Sequence, residues 1–191
     1  MSEVKTSRVL TRETVMRGNP CDEYADRFNE RFPESVEVTV ELAVSQAEDW
    51  DWYWAAQKLL TQKGYNTFHN NMRVADREYD VAIQPYSGLM DAAYSKANSV
   101  YQQAIDDNLT QGLNFDKPHS NANKLYAEVV AVPSAALAAA RKVAQKRLNE
   151  VRAKAWAEIY LTETDEELGA NKIETQCDCD SCREDRANND W

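Results

Sequence analysis

The sequence predicts a mainly α-helical protein: a small N-terminal helical module followed by a long antiparallel helical hairpin built on eleven-residue repeats. Three observations carry that expectation. Five Gly and five Pro in 191 residues are too few turn formers for a chain of many short strands. Through most of the chain apolar residues recur at the spacing of one helix face. In the second half, Tyr79, Met90 and Tyr101 are spaced by eleven, and so are Tyr126, Leu137, Leu148 and Ile159. Eleven residues are almost three whole turns, so each series holds one stripe against a neighbour with little supercoiling.

The first element is a helix starting at Thr11, with Gly18 placed to stop it. Asn19-Pro20 then reads as an N-cap followed by proline at the first helical position. Cys21, Tyr24, Ala25, Phe28 and Phe32 repeat at helical spacing until Pro33 closes the segment. Val36, Val38 and Val40 alternate with polar residues as a short strand would, while Thr39 fits equally well as the cap of a helix through Ala43, Val44 and Ala47. A brief extended turn followed by helix satisfies both patterns. The next run, from Trp50 to Leu60, is apolar nearly all round and is expected to stop near Gly64. At about 100° per residue Trp50 and Trp54 share a face and Trp52 does not, so this helix is either central to a core or leaves one aromatic for a partner.

From Asp76 the sequence turns Ala- and Tyr-rich. Small residues follow the first series three positions on, at Ala82, Ala93 and Ala104. Asn108 to Ser120, with Gly112 and Pro118, is where the chain reverses, giving arms over 76–108 and 120–162. At about 1.5 Å per residue such arms extend on the order of 50 to 60 Å. Pro85 and Pro133 fall inside the arms, where each removes a donor and is expected to kink or interrupt its helix. Three regions result: 1–75, an acidic helical module; 76–162, the hairpin; and 163–191, an acidic Cys-containing tail without apolar periodicity, expected to be flexible.

The net charge of −10 is unevenly spread. Much of it falls in the tail, and between Asp22 and Asp51 ten acids meet only Arg27 and Arg31. A basic partner surface is attracted to such a region. The acids Asp22, Glu23, Asp26, Glu30, Glu34, Glu37, Glu41, Asp49 and Asp51, with Trp52, are therefore the candidate partner-binding residues. The opposite charge collects on the second arm at Arg141, Lys142, Lys146, Arg147, Arg152 and Lys154, which on an acidic chain reads as a solvated helix face, so direct nucleic-acid binding is not expected.

Chemistry-bearing constellations are sparse. Cys177, Cys179 and Cys182 supply three thiolates within six residues, while a structural zinc site takes four ligands, and His69 and His119 are remote in sequence. Zinc would need Cys21, an acid or a second chain as its fourth ligand. Cys21 lies near a helix start but has no base beside it in sequence to support nucleophilic chemistry, and a core-packed thiol is the simpler reading. The five glycines stand apart, so no phosphate-cradling loop forms, and no carboxylate pair has a context that assigns acid–base roles. No catalytic residues are assigned and an enzyme is not expected. The absence of a long apolar run and of a leader-like N-terminus points to no membrane partner, and few, clustered cysteines suit a reducing cytoplasm.

The pattern Cys21…Phe28…Phe32-Pro33…Val36-Glu37-Val38-Thr39…Trp52…Ala55-Ala56…Leu59-Leu60 resembles a short module of uncharacterised phage and prophage accessory proteins. Arg77-Glu78-Tyr79-Asp80-Val81-Ala82 resembles the Ala- and Tyr-rich repeats that accompany it. The resemblance spans most of 10–160 and attaches no catalytic residue; the Cys-containing tail departs from it. It implies a virus-encoded protein acting in a bacterial host cytoplasm. Small acidic proteins of this kind occupy host protein or ribonucleoprotein complexes, including CRISPR or restriction nucleases, their carboxylates imitating phosphates or pairing with Arg and Lys. The rival expectations are an assembly protein that self-associates, as a homodimer, through the hairpin residues Tyr79, Met90, Tyr101, Leu137 and Leu148, and a zinc-dependent regulator built on the tail.

Overall fold

The computed structural model describes residues 6–110 and 116–164. In order, the elements are β1 (Arg8–Thr11), α1 (Arg12–Arg17), α2 (Asp22–Arg31), β2 (Ser35–Val38), α3 (Val40–Ser45), α4 (Trp52–Leu59), α5 (Gln62–Thr110) and α6 (Asp116–Thr162). The expected fold class holds: the protein is mainly helical, and α5 packs against α6 as a hairpin.

Local chemistry sets most of the boundaries. Thr11 accepts from the Thr14 N–H at 3.2 Å and starts α1, and Gly18 ends it. The expected cap at Asn19 is displaced: Asn19 takes a left-handed conformation (φ 54°), which Asn tolerates, and α2 begins at Asp22 with Cys21 at the capping position. Both readings of 35–45 hold in succession. Ser35–Val38 is a strand, antiparallel to β1 with Leu10 opposite Val36, and Thr39 then caps α3 by accepting from the Leu42 N–H at 3.1 Å. Strand β1 had no counterpart in the sequence expectations, because a four-residue strand shows too little alternation to register. Asp51 starts α4 by accepting from the Tyr53 and Trp54 N–H groups at 2.9 and 3.0 Å.

Gly64 does not stop a helix; it lies in the first turn of α5, which therefore begins at Gln62 and not near 76. Thr61 precedes α5 and accepts from the Gly64 N–H at 3.0 Å, as an N-cap does. In a capping box the residue at the Gly64 position carries the carboxylate that reaches back to the cap. Here Glu163, just beyond α6, supplies it: its carboxylate takes the Thr61 N–H at 3.0 and 3.1 Å and the Thr61 hydroxyl. A Cβ on Gly64 would stand 2.0 Å from Glu163 Oε1, so glycine is what admits the remote carboxylate. On the other side of Glu163, Arg8 donates to the Glu163 and Tyr160 carbonyls at 2.7 and 3.2 Å, placing a cation at the C-terminus of α6. An acid at one helix start and a base at the other helix end thus join β1, α5 and α6.

The chain divides into two compact units, Met1–Asp76 with Lys146–Trp191, and Arg77–Gln145. The sequence expectation drew its boundaries at 75/76 and 162/163. The second differs because the last turns of α6 carry Ala153, Trp156, Ala157 and Tyr160 into the core of the first unit, a partnership that local periodicity does not reveal. That core also holds Phe28, Trp52, Trp54, Leu60, Phe68 and Met72. In the second unit the buried stripe is formed by Met90, Ala93, Ala97, Ala104 and Ala122, flanked by half-buried Tyr79, Tyr101, Tyr126 and Leu137. The eleven-residue series therefore does face the neighbouring arm, although Ala82 is exposed. Neither proline interrupts its helix: α5 continues through Pro85 and α6 through Pro133. Helix also covers the ends of the expected turn, up to Thr110 and from Asp116, while Gly112 lies outside the described residues.

Candidate functional site

Eight acids of the α2–α3 region lie at the surface: Asp22, Glu23, Asp26 and Glu30 on α2, Glu34 and Glu37 on either side of the start of β2, Glu41 on α3, and Glu48 after it. Asp22, Asp26 and Glu30 follow one another at four-residue intervals and share one face of α2. The two bases of this stretch are committed internally. Arg27 donates to Glu23 at 2.6 Å and to the Asp49 carbonyl, and Arg31 donates to Asp49 at 2.7 Å and to the Gln46 side chain. Among the described residues no base forms an ion pair with Asp22, Asp26, Glu30, Glu34, Glu37, Glu41 or Glu48.

Five of the expected partner-binding residues have other work: Glu23 is paired with Arg27, Glu37 accepts from the Ser7 hydroxyl at 2.5 Å, and the other three are Asp51, Asp49 and Trp52. Asp51 caps α4, and Asp49 is tied to Arg31. Trp52 is only 6 % exposed, packs against Trp156 with the ring centres 5.3 Å apart and the planes tilted by 46°, and donates its indole N–H to the Ala47 carbonyl at 2.9 Å. It is a core residue, and the half-exposed aromatics of that run are Trp50 and Tyr53. Helical phase shows that Trp52 departs from the Trp50–Trp54 face, but it does not show which face meets the core.

The core of the first unit contains an apolar cavity of about 70 Å³ whose lining includes Phe28, Phe32, Trp50, Trp52, Trp54 and Trp156. Among the described residues the buried indole N–H groups of Trp54 and Trp156 meet no hydrogen-bond partner. Nearby, Tyr53 donates to Asp76 at 3.2 Å, Arg152 donates to the same carboxylate at 3.2 Å, and the Arg152 guanidinium lies 4.9 Å from the Tyr53 ring centre. Burial first, and then the Asp76 charge, hold the Tyr53 phenol above its ordinary value of 10.0, against the opposing pull of Arg152. This network ties α4, α5 and α6 together, and it removes Arg152 from the basic row expected on the second arm. Lys154 pairs with Glu158 at 3.8 Å, while Arg141, Lys142, Lys146 and Arg147 are exposed.

Cys21 is half-buried against the core, as its structural reading expected. His119 meets the Tyr101 hydroxyl at 3.0 Å, and His69 is exposed with its ring near Tyr65. Among the described residues no three His, Cys, Asp or Glu side chains come together as a metal site. Cys177, Cys179 and Cys182, the candidate zinc ligands, lie outside the described residues. Among the described residues no helix is long and apolar enough to cross a membrane.

A feature the sequence expectations passed over lies in the second unit. Besides its buried stripe, α6 carries Leu125, Val129, Val132, Ala136, Ala139 and Val143, spaced four, three, four, three and four. That is the spacing of a coiled-coil seam. Val132 and Val143 on it are 77 % and 73 % exposed. On α5, Ala82, Pro85, Leu89 and Ala92 follow at three, four and three, with Val81 alongside; Val81 and Leu89 are 62 % and 59 % exposed. The spacing is readable in the sequence, but the expectations drew the apolar pattern of both arms from the eleven-residue series, which shares only Ala82 with it.

Comparison with known protein families, with curated proteins and with solved structures finds no match.

Proposed function

We propose that the protein is a non-enzymatic binding protein whose acidic α2–α3 face occupies a basic surface on a host protein or ribonucleoprotein complex. The observation that carries this reading is the internal commitment of Arg27 and Arg31. Each is spent on α2, Gln46 or Asp49, so the neighbouring carboxylates keep their charge for a partner. Carboxylates on adjoining elements accept hydrogen bonds from Arg and Lys much as a row of phosphates does. They also steer a basic partner toward the face before contact. In this reading the chain is a phage-encoded accessory protein acting in the bacterial cytoplasm, and its target is a nucleic-acid-binding surface such as that of a CRISPR or restriction nuclease.

The test is charge reversal. Glu34→Lys, Glu37→Lys and Glu41→Lys together abolish retention of the partner that the unaltered chain captures from a bacterial lysate, and leave the urea midpoint within experimental error. Capture of the same partner at equal yield by the triple variant refutes the assignment.

A further inference from the structure

We infer that the apolar cavity of the first unit is an anchor pocket, which takes one aliphatic side chain that the basic partner presents between Arg and Lys residues. This rests on the acidic-face reading and specifies what that partner inserts. The cavity opens within the acidic stretch. Its half-exposed lining residues, among them Phe32, Val36, Leu42, Gln46 and Trp50, all come from α2, β2, α3 and the connection from α3 to α4. The lining residues of β1, α1, α4 and α6, such as Leu10, Val15, Trp54 and Trp156, are all buried. Those elements form the floor, and the mouth lies between α2, β2 and α3.

Negative charge adjoins that mouth. Glu34 lies between Phe32 and Val36 in the chain, and Glu41 is next to Leu42. Both acids are exposed, and neither is paired with a base among the described residues. The polar side chains at the mouth are engaged within the unit: Gln46 accepts from Arg31, and Asp51 caps α4. An occupant therefore matches the site with an apolar centre and cationic flanks.

Size decides what that centre is. At about 70 Å³ the cavity is far below the roughly 300–1,000 Å³ of sites for cofactors and drug-sized molecules, and about half the roughly 150 Å³ that holds a benzene ring. A leucine or valine side chain suits it better than an aromatic ring. Burial gives a free hydrocarbon of that size only about ten- to a hundredfold, a dissociation constant on the order of 10 to 100 mM. On a partner that other contacts already hold, the same burial multiplies the affinity, as a hot-spot side chain in its pocket does.

Four of the five tryptophans line the cavity, so their fluorescence reports its occupation. The full chain is titrated at low ionic strength with a pentapeptide carrying leucine between two pairs of arginines, and with the same peptide carrying alanine. The leucine peptide is expected to bind about tenfold more tightly or better. Ala43→Leu, which fills the cavity from its wall, removes that advantage while the urea midpoint stays at or above that of the unaltered chain. Should it not fold, Val36→Gln, which sets an amide at the half-exposed mouth, gives the same loss. Glu34→Lys with Glu41→Lys weakens both peptides severalfold and leaves their ratio unchanged. Equal affinity of the two peptides, each lowered by the charge reversals, overturns the anchor pocket and leaves the acidic face standing, and so does a leucine advantage that survives in a folded Ala43→Leu or Val36→Gln variant. A leucine advantage indifferent to the charge reversals overturns the acidic-face reading and this inference with it.

Discussion

Gly64 and Gly88 sit in the same helix, and the same substitution is expected to move stability in opposite directions at the two positions. At Gly88 an added Cβ meets nothing within 4 Å, so Gly88→Ala gains helix propensity, up to about 1 kcal/mol. At Gly64 the Cβ meets Glu163 Oε1 at 2.0 Å and Ile159 Cγ2 at 3.0 Å. The carboxylate must leave Thr61, which forfeits charge-assisted bonds worth about 1.5–3 kcal/mol and strips a cap from a buried helix start. Glu163 is only 8 % exposed, so water compensates little. Against a propensity gain of about 1 kcal/mol, the net result is a loss of roughly 1–2 kcal/mol. The two effects separate in a cycle. Glu163→Ala alone costs about 2–3 kcal/mol, and adding Gly64→Glu to it rebuilds an ordinary capping box and recovers about 1 kcal/mol. Urea denaturation followed by circular dichroism, with midpoints compared at constant slope, measures all five proteins. If Gly64→Ala is as stabilising as Gly88→Ala, or if Gly64→Glu fails to rescue Glu163→Ala, the remote capping box does not exist.

Other outcomes follow from the same contacts. Arg8→Met removes the guanidinium bonds to the Glu163 and Tyr160 carbonyls and should lower stability by about 2–3 kcal/mol; Arg8→Lys, lacking the fork, should recover less than half, as read from urea midpoints. Pro133 lies in an unbroken helix, so Pro133→Ala restores a main-chain hydrogen bond and is expected to add about 1–3 kcal/mol by the same assay. Tyr53 holds its proton more tightly when folded than when unfolded, so its contribution is complete below pH 10 and is lost as pH rises through the folded value. Comparing urea midpoints at pH 8 and at increasing pH above 10, Tyr53→Phe should start lower, having lost the Asp76 bond, and should decline less than the unaltered chain.

The sequence was most legible where structure is local. Thr11, Gly18, Thr39 and Pro33 mark helix ends by chemistry confined to a few residues, and the eleven-residue series identifies the faces of α5 and α6 that meet, because a repeat of that length has one geometric consequence. What stayed hidden depends on residues far apart in the chain. Gly64 reads as a helix stop until Glu163, some hundred positions later, is seen to need the space a side chain would fill. Arg8 sits in an unremarkable N-terminal stretch and acquires its role from the end of α6. Among the acids, the sequence shows a local excess of negative charge between Asp22 and Asp51. It could not distinguish Glu34, which faces solvent, from Asp51, which caps a helix, nor foresee that Trp52 would turn inward onto Trp156.

Once the captured partner is purified, its association kinetics with the full chain at ionic strengths from about 0.05 to 0.5 M test the acidic-face account most directly, since the Debye length shrinks severalfold over that range. If uncommitted carboxylates on α2, β2 and α3 guide the encounter, the association rate falls at least tenfold while the dissociation rate changes far less. An association rate indifferent to salt would contradict it.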